Sequence, residues 1–169
     1  MRPKYIIIHH SLTKDSETVD WKGIRRYHRS YAYLGKIVTQ ENAMNLIASG
    51  KRIKRPWSDI GYHFGIEHID YHDTEETTCE ILVGRMQNAR GAHCVQEGMN
   101  SKSLGICVVG NFDKAPPSQE QWNLCLKLVK ALKQVYSIPT EHVMGHREFA
   151  EYKTCPGKQW SMNQFRSEL

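Results

Sequence analysis

The sequence has no long hydrophobic run, and this absence argues against a membrane-spanning protein and against a protein with a secretory signal peptide. No stretch of roughly 18 or more apolar residues occurs along the chain, so no membrane-spanning helix is expected. The apolar run near the N-terminus covers residues 5–8, which is too short for the core of a signal peptide. We therefore expect the protein to be synthesised in the cytoplasm and to leave it only if another system moves it.

Paired cysteines are also missing, which argues against a disulfide-stabilised fold. The chain has five cysteines, an odd number, and none of them belongs to a CxxC pair. Reduced thiols are the expectation, in agreement with cytoplasmic synthesis. Four of the thiols are expected to pack as small hydrophobic groups: Cys79, Cys94, Cys107 and Cys125.

Length and composition predict one globular domain over residues 1–169. The 169 residues suffice for a single sizeable core, and the 40% hydrophobic and 24% charged fractions are ordinary for such a domain. The net charge of +5 would suit an anionic polymer, either cell wall or nucleic acid. An excess of this size is also common in proteins that bind neither, so it selects no partner.

Apolar patterning predicts an α/β fold with a central mixed β-sheet flanked by helices. Apolar and β-branched runs predict strands over residues 4–9, 61–68, 80–83, 104–110 and 142–144. Helical spacing of apolar side chains predicts helices over about 20–29 and 118–137, with a short helix over 40–48. The second and third strands are expected to form a hairpin.

Residues at the helix ends carry capping signals. Ser16 to Thr18 are candidates for the cap of the first helix, and Ser118 and Gln121 have the spacing of a capping box. Gly50 is expected to end the short helix. The basic run at 51–55 is interpreted as a solvated loop in preference to a dedicated binding patch.

Two segments at opposite ends of the chain carry residues that bind metals. His9 and His10 end the first strand, and Cys155 follows His146 by nine residues. Neighbouring strand residues point to opposite faces, so only one of the paired histidines is available to the site. Two histidines and one thiolate are one ligand short of a closed tetrahedral zinc site, which is typical of catalytic rather than structural zinc. A lone histidine at a strand end is more often a hydrogen-bonded core residue, so the residues alone leave this alternative open.

The combined motifs resemble a known family, the zinc-dependent N-acetylmuramoyl-L-alanine amidases. This fold is shared by bacteriophage T7 lysozyme-type amidases and peptidoglycan recognition proteins. The resemblance covers nearly the whole chain. Its motifs are Ile8–Ser11, Ile24–His28, Asp59–Phe64, Gly84–Arg85, Gly91–His93, Ser103–Ile106 with Val109–Phe112, Gly145–Glu148 and Lys153–Gly157.

The resemblance implies a role for each of six residues. The zinc ligands would be His9, His146 and Cys155, while His10 turns away. The catalytic residues would be Tyr62 and Lys153, and His93 would line the substrate groove. These roles are chemically reasonable, because zinc-bound water reaches a pKa of about 7 and the attacked carbonyl needs a cation or donor for its developing negative charge.

Other ionisable residues are given weaker or structural roles. Glu67 and Glu148 are the carboxylates best placed by sequence to act as a general base or as a partner of a metal-bound histidine. The remaining histidines are expected to be structural or exposed: His28, His63, His68, His72 and His142.

One segment departs from the pattern of the compact family members. Between the first helix and Trp57-Ser58-Asp59 the chain has an insertion at about 31–56. We expect it to reshape the groove wall or to add a contact surface, without touching the metal site.

The leading hypothesis is a zinc hydrolase that cleaves the amide between the lactyl group of N-acetylmuramic acid and L-alanine of the stem peptide. A monomeric phage or prophage endolysin that acts on the cell wall after release is the expected context. A cytosolic muropeptide-recycling amidase is a second enzyme hypothesis, although such enzymes typically have Asp where Cys155 stands.

Three alternatives belong to other classes. A non-catalytic peptidoglycan-binding protein of this fold would generally lack the cysteine. Cys155 could instead be a nucleophile activated by His146, which predicts metal-independent activity. Nucleic-acid binding through residues 51–55 is not expected, because the basic run lacks interleaved aromatics.

Overall fold

The computed structural model describes residues 1–12, 20–70 and 77–169, in which seven strands and four α-helices are found. The strands are Tyr5–His10 (β1), Tyr31–Tyr33 (β2), Lys36–Val38 (β3), Phe64–Asp70 (β4), Thr77–Val83 (β5), Ser103–Val108 (β6) and Val143–Gly145 (β7). The helices are Trp21–His28 (α1), Gln40–Ala48 (α2), Gln119–Tyr136 (α3) and Met162–Ser167 (α4). No helix in the described ranges is long and apolar enough to cross a bilayer.

Five of the strands form one mixed sheet in the order β5-β4-β6-β1-β7. Strand β1 pairs in parallel with β6 and β7, and β4 pairs in parallel with β6. Strand β5 is antiparallel to β4, as the predicted hairpin requires. Residues 71–76, within the connection of that hairpin, lie outside the described residues. The prediction of a mixed sheet flanked by helices is confirmed.

The two strands β6 and β1 are almost entirely buried because helices and loops cover both faces of the sheet. Every residue of β6 is buried, and Ile6, Ile7 and Ile8 in β1 have no exposed surface. Helix α3 covers one face with the predicted amphipathic stripe, which includes Trp122 and Val129. Its capping box at Ser118 and Gln121 is also present as predicted.

Helix α1 covers the opposite face of β6. Trp21 and Ile24 pack against Cys107, whose neighbours along β6 point towards α3. The side chain of Asp20 caps the helix by accepting a hydrogen bond from Gly23 N (2.6 Å). The predicted cap at residues 16–18 lies outside the described residues.

The segment at 31–56 is more structured than the sequence indicated. Helix α2 has the predicted bounds, but β2 and β3 form a hairpin that was not predicted. Lys54 forms a backbone bridge with Ala32, and its ammonium donates to the carbonyls of His28 and Ser30 (2.9 Å each). Residues 51–55 form an exposed to half-buried loop, and within it Lys54 ties the segment to the end of α1.

Candidate metal centre and active site

Two parallel strands bring the N-terminal and C-terminal motifs together. In the register of β1 with β7, Ile8 lies opposite Gly145. The next residues, His9 and His146, therefore emerge side by side at the same edge of the sheet, with ring centroids 4.6 Å apart. Neither motif alone contains this information, because the pairing of the two strands creates the site.

Cys155 completes a group of three side chains that could hold a metal ion. One ligand atom each from His9, His146 and Cys155 lies within 4.8 Å of the others. His9 Nδ1 is 3.6 Å from Cys155 Sγ, and both residues are buried. Two imidazole nitrogens and a sulfur are the donor chemistry that zinc prefers, and three protein ligands leave one position for water or substrate.

The paired histidine His10 has a different environment. Its Nδ1 accepts a hydrogen bond from Phe112 N (3.2 Å), and its ring packs near the Phe112 ring. Its backbone N–H donates to Cys155 Sγ (3.3 Å). His10 is therefore not in the group of possible ligands, although its main chain supports the cysteine.

Burial keeps the three possible ligands uncharged in the absence of a metal ion. Burial lowers the pKa of His146 to about 4, with Lys153 adding to the effect, and burial lowers the pKa of His9 well below its ordinary value. Burial also raises the pKa of the Cys155 thiol to about 12. The imidazoles are thus neutral at pH 7, and a metal would have to displace the thiol proton. A nucleophilic cysteine needs a lowered pKa, so this environment disfavours the cysteine-hydrolase hypothesis.

Tyr62, Lys153 and His93 all line the same cavity of about 180 Å³ as the three possible ligands. The Tyr62 ring lies 5.1 Å from the His9 ring, and burial raises the pKa of Tyr62 well above its ordinary value, so its hydroxyl stays protonated. Lys153 is exposed at the rim. His93 is buried, and its Nδ1 lies 3.1 Å from His9 Nε2.

The two candidate carboxylates have structural partners. Glu67 accepts hydrogen bonds from Trp21 N at the start of α1 (3.0 and 3.2 Å). Glu148 accepts from Gly145 N (2.6 Å) and pairs with Arg166 (3.0 Å). The general-base role suggested for them by sequence therefore gains no geometric support.

The histidines expected to be structural mostly have backbone or side-chain partners. The four described ones hydrogen-bond as follows: His28 to Gly61 N, His63 to Gly105 N and Ala89 O, His68 to Ser118 Oγ, and His142 to Lys4 O. His72 lies outside the described residues.

Comparison with known proteins identifies the family. A sequence model described as N-acetylmuramoyl-L-alanine amidase matches residues 1–158. The chain belongs to this amidase family. The chain is similar to peptidoglycan-recognition protein SD of Drosophila melanogaster, with 30% identity over 72% of this chain and 59% of that protein. It is also similar to the endolysin of Escherichia phage T7, with 30% identity over 92% of this chain and 83% of the endolysin.

A solved amidase structure confirms the fold. The endolysin amidase LysCS from Clostridium intestinale URNW matches with a TM-score of 0.67 and 22% identity, over 99% of this chain and 83% of that one. The chain thus spans most of the T7 endolysin and of LysCS, but less than two thirds of the Drosophila protein.

Two residues that hold the loop of Cys155 in place were missed by sequence reasoning. Arg147 N donates to Cys155 O (2.7 Å), and the Arg147 guanidinium donates to Gly157 O (2.6 Å) and Trp160 O (2.8 Å). Asp113 accepts from Thr154 Oγ1 (2.7 Å) and Lys158 N (2.9 Å). These two residues fix the cysteine loop from both sides. The proximity of Arg147 to His146 in the Gly-His-Arg-Glu motif was the available signal for the first, whereas Asp113 gave none.

Proposed function

We propose that this chain is a zinc-dependent N-acetylmuramoyl-L-alanine amidase. It would hydrolyse the amide between the lactyl group of N-acetylmuramic acid and L-alanine, releasing the stem peptide from the sugar strand. The observation that carries the proposal is one cavity that holds the His9, His146 and Cys155 donor set together with Tyr62 and Lys153. A protein that only binds peptidoglycan would have no need of this combination.

Each residue of the cavity has a distinct task in this proposal. His9, His146 and Cys155 would hold the zinc ion, which supplies a bound water with a pKa of about 7 and polarises a carbonyl. Lys153 places a positive charge at the rim, where the carbonyl oxygen of the scissile amide gains negative charge. Burial keeps the Tyr62 hydroxyl protonated, and in this proposal the hydroxyl would donate a hydrogen bond to the carbonyl oxygen of the scissile amide.

We infer that the insertion at 31–56 forms a wall of the substrate groove. A second cavity of about 380 Å³ lies between α1 and the β2–β3 hairpin, lined by Arg26, Tyr27 and Ile37 among others. Ser11 and Tyr62 line both this cavity and the metal cavity, so the two cavities are neighbours. Stem peptides carry carboxylates, and the exposed Arg26 guanidinium is suited to bind one.

Arg26→Ala is expected to raise KM for muropeptides by about tenfold with little change in kcat, because a hydrogen bond to a charged group contributes about 1.5–3 kcal/mol. Ile37→Ser should shift KM in the same direction. Met44→Ser is the matched control, since Met44 is 41% exposed in the same segment, close to the 43% of Ile37, but does not line the cavity. If all three variants had the same KM as the unmodified protein, the inference that the β2–β3 hairpin forms a wall of the groove would be contradicted.

The biological setting that fits the proposal is a phage or prophage endolysin. The protein would be made in the cytoplasm, act as a monomer on the cell wall after release, and need no nucleic acid. A muropeptide-recycling amidase remains the alternative enzyme. The same assay distinguishes the two hypotheses if it is run once with intact sacculi and once with soluble muropeptides as the substrate.

Metal removal tests the proposed function directly. The purified protein is treated with a chelator and assayed for amide cleavage of muropeptides before and after zinc is added back. We expect activity to disappear with chelation and to return with about one zinc ion per chain. Activity that survives chelation but is blocked by thiol alkylation would indicate a cysteine nucleophile. Muropeptide binding without cleavage at any zinc concentration would indicate a binding protein.

A further inference from the structure

The ring of His9 is shared between the candidate metal site and a second, buried histidine. One nitrogen, Nδ1, faces Cys155 Sγ at 3.6 Å. The other, Nε2, lies 3.1 Å from Nδ1 of His93, and the two rings meet edge to face with centroids 5.1 Å apart. The Nδ1 atom of His9 therefore faces the candidate metal site, and its Nε2 atom faces His93.

The position of His93 is enforced by its surroundings. A Cβ atom added at Gly91 would lie 2.5 Å from the His93 ring, and one added at Gly105 would lie 2.6 Å from it, so both glycines are needed to admit the imidazole. Asn100 Oδ1 accepts hydrogen bonds from the backbone N–H groups of His93 (2.7 Å) and Cys94 (2.8 Å). The main chain and the ring are thus both held in place.

We propose that His93 is a positioning residue for the metal, acting through His9 rather than by binding substrate. A neutral imidazole carries one N–H, so the contact between His9 and His93 has two possible directions. If His93 donated, the proton of His9 would sit on Nδ1 and occupy the position that a metal needs. When His93 accepts from His9 Nε2–H, the Nδ1 lone pair of His9 is directed towards Cys155 and His146. The inference rests on the proposed function because it requires a metal at those ligands.

Two variants of His93 separate hydrogen bonding from packing. In His93→Asn, Oδ1 takes the place of Nδ1 and preserves an acceptor, whereas His93→Leu removes the acceptor. Zinc affinity is measured by competition with a chromogenic chelator. We expect His93→Leu to weaken zinc binding by about 10- to 100-fold, the effect typical of losing a partner that orients a metal ligand. His93→Asn should retain most of the affinity.

A spectroscopic measurement reports the ligand geometry without any assay of activity. The visible absorption spectrum of the Co²⁺-loaded protein should be unchanged in His93→Asn and altered in His93→Leu. If His93→Leu does not fold, Gly105→Ala provides a second route, because its Cβ displaces the ring while His93 remains. That variant should also weaken zinc binding.

The outcomes distinguish this inference from the proposed function. No zinc binding by the unmodified protein would overturn both. Tight zinc binding by the unmodified protein and equally by His93→Leu would overturn the positioning role alone. A rise in KM with unchanged zinc affinity would show that His93 contacts substrate instead. Equal loss of affinity in His93→Asn and His93→Leu would show that packing, not the acceptor, is what matters.

Discussion

Replacing Cys155 with serine is expected to abolish amide hydrolysis while the fold is retained. Serine preserves the size of the side chain, but its hydroxyl does not ionise near neutral pH and is a poor ligand beside two imidazoles. The metal is expected to contribute several kcal/mol of transition-state stabilisation, so its loss should lower kcat/KM by about 10³-fold or more. His146→Ala removes a different ligand and should have the same effect.

The measurement pairs activity on muropeptides with zinc content per chain. Both Cys155→Ser and His146→Ala should lose the two together. Cys79→Ser is the matched control, because Cys79 lies on the edge strand β5, away from the cavity, and should keep both. A Cys155→Ser protein with full activity and normal zinc content would contradict the proposed metal site.

The elements that carry the site were predictable because their patterns are local. The β-branched run before His9 predicts a buried strand. The amphipathic stripe over residues 118–137 predicts helix α3, which packs on one face of the sheet. The hairpin formed by β2 and β3 was missed because strands of three residues are too short to show an alternation. Helix α4 was missed because it is six residues long and depends on tertiary packing, with Phe165 against Trp122 and Trp160.

The candidate site shows the same division between local and non-local information. Strand ends and a turn suggested possible ligands, but the choice of His9 over His10 came from the family resemblance. The contact between His9 and His93 was not accessible from sequence, because 84 residues separate the two and the close approach depends on Gly105 in the neighbouring strand. Long-range register determines such contacts, and no local pattern records it.

Lys153→Ala is expected to slow turnover while leaving zinc bound. Lys153 lines the metal cavity at its rim but is not among the possible ligands. Its backbone N–H donates to Ala150 O (2.8 Å), and the next residue, Thr154, is tied to Asp113, so the base of the side chain is fixed. A cation near a developing oxyanion stabilises the transition state more than the ground state, so the loss should appear in kcat, at roughly 10²-fold or more.

The control for Lys153 is Lys158→Ala, which removes an exposed lysine from the same loop that does not line the cavity. Its kcat should be close to that of the unmodified protein, which excludes a general effect of loop charge. If Lys153→Ala loses zinc along with activity, Lys153 supports the metal site by its charge and has no separate catalytic role. If it raises KM and leaves kcat unchanged, Lys153 binds the ground state of the substrate, and the oxyanion must be stabilised by Tyr62 and the metal alone.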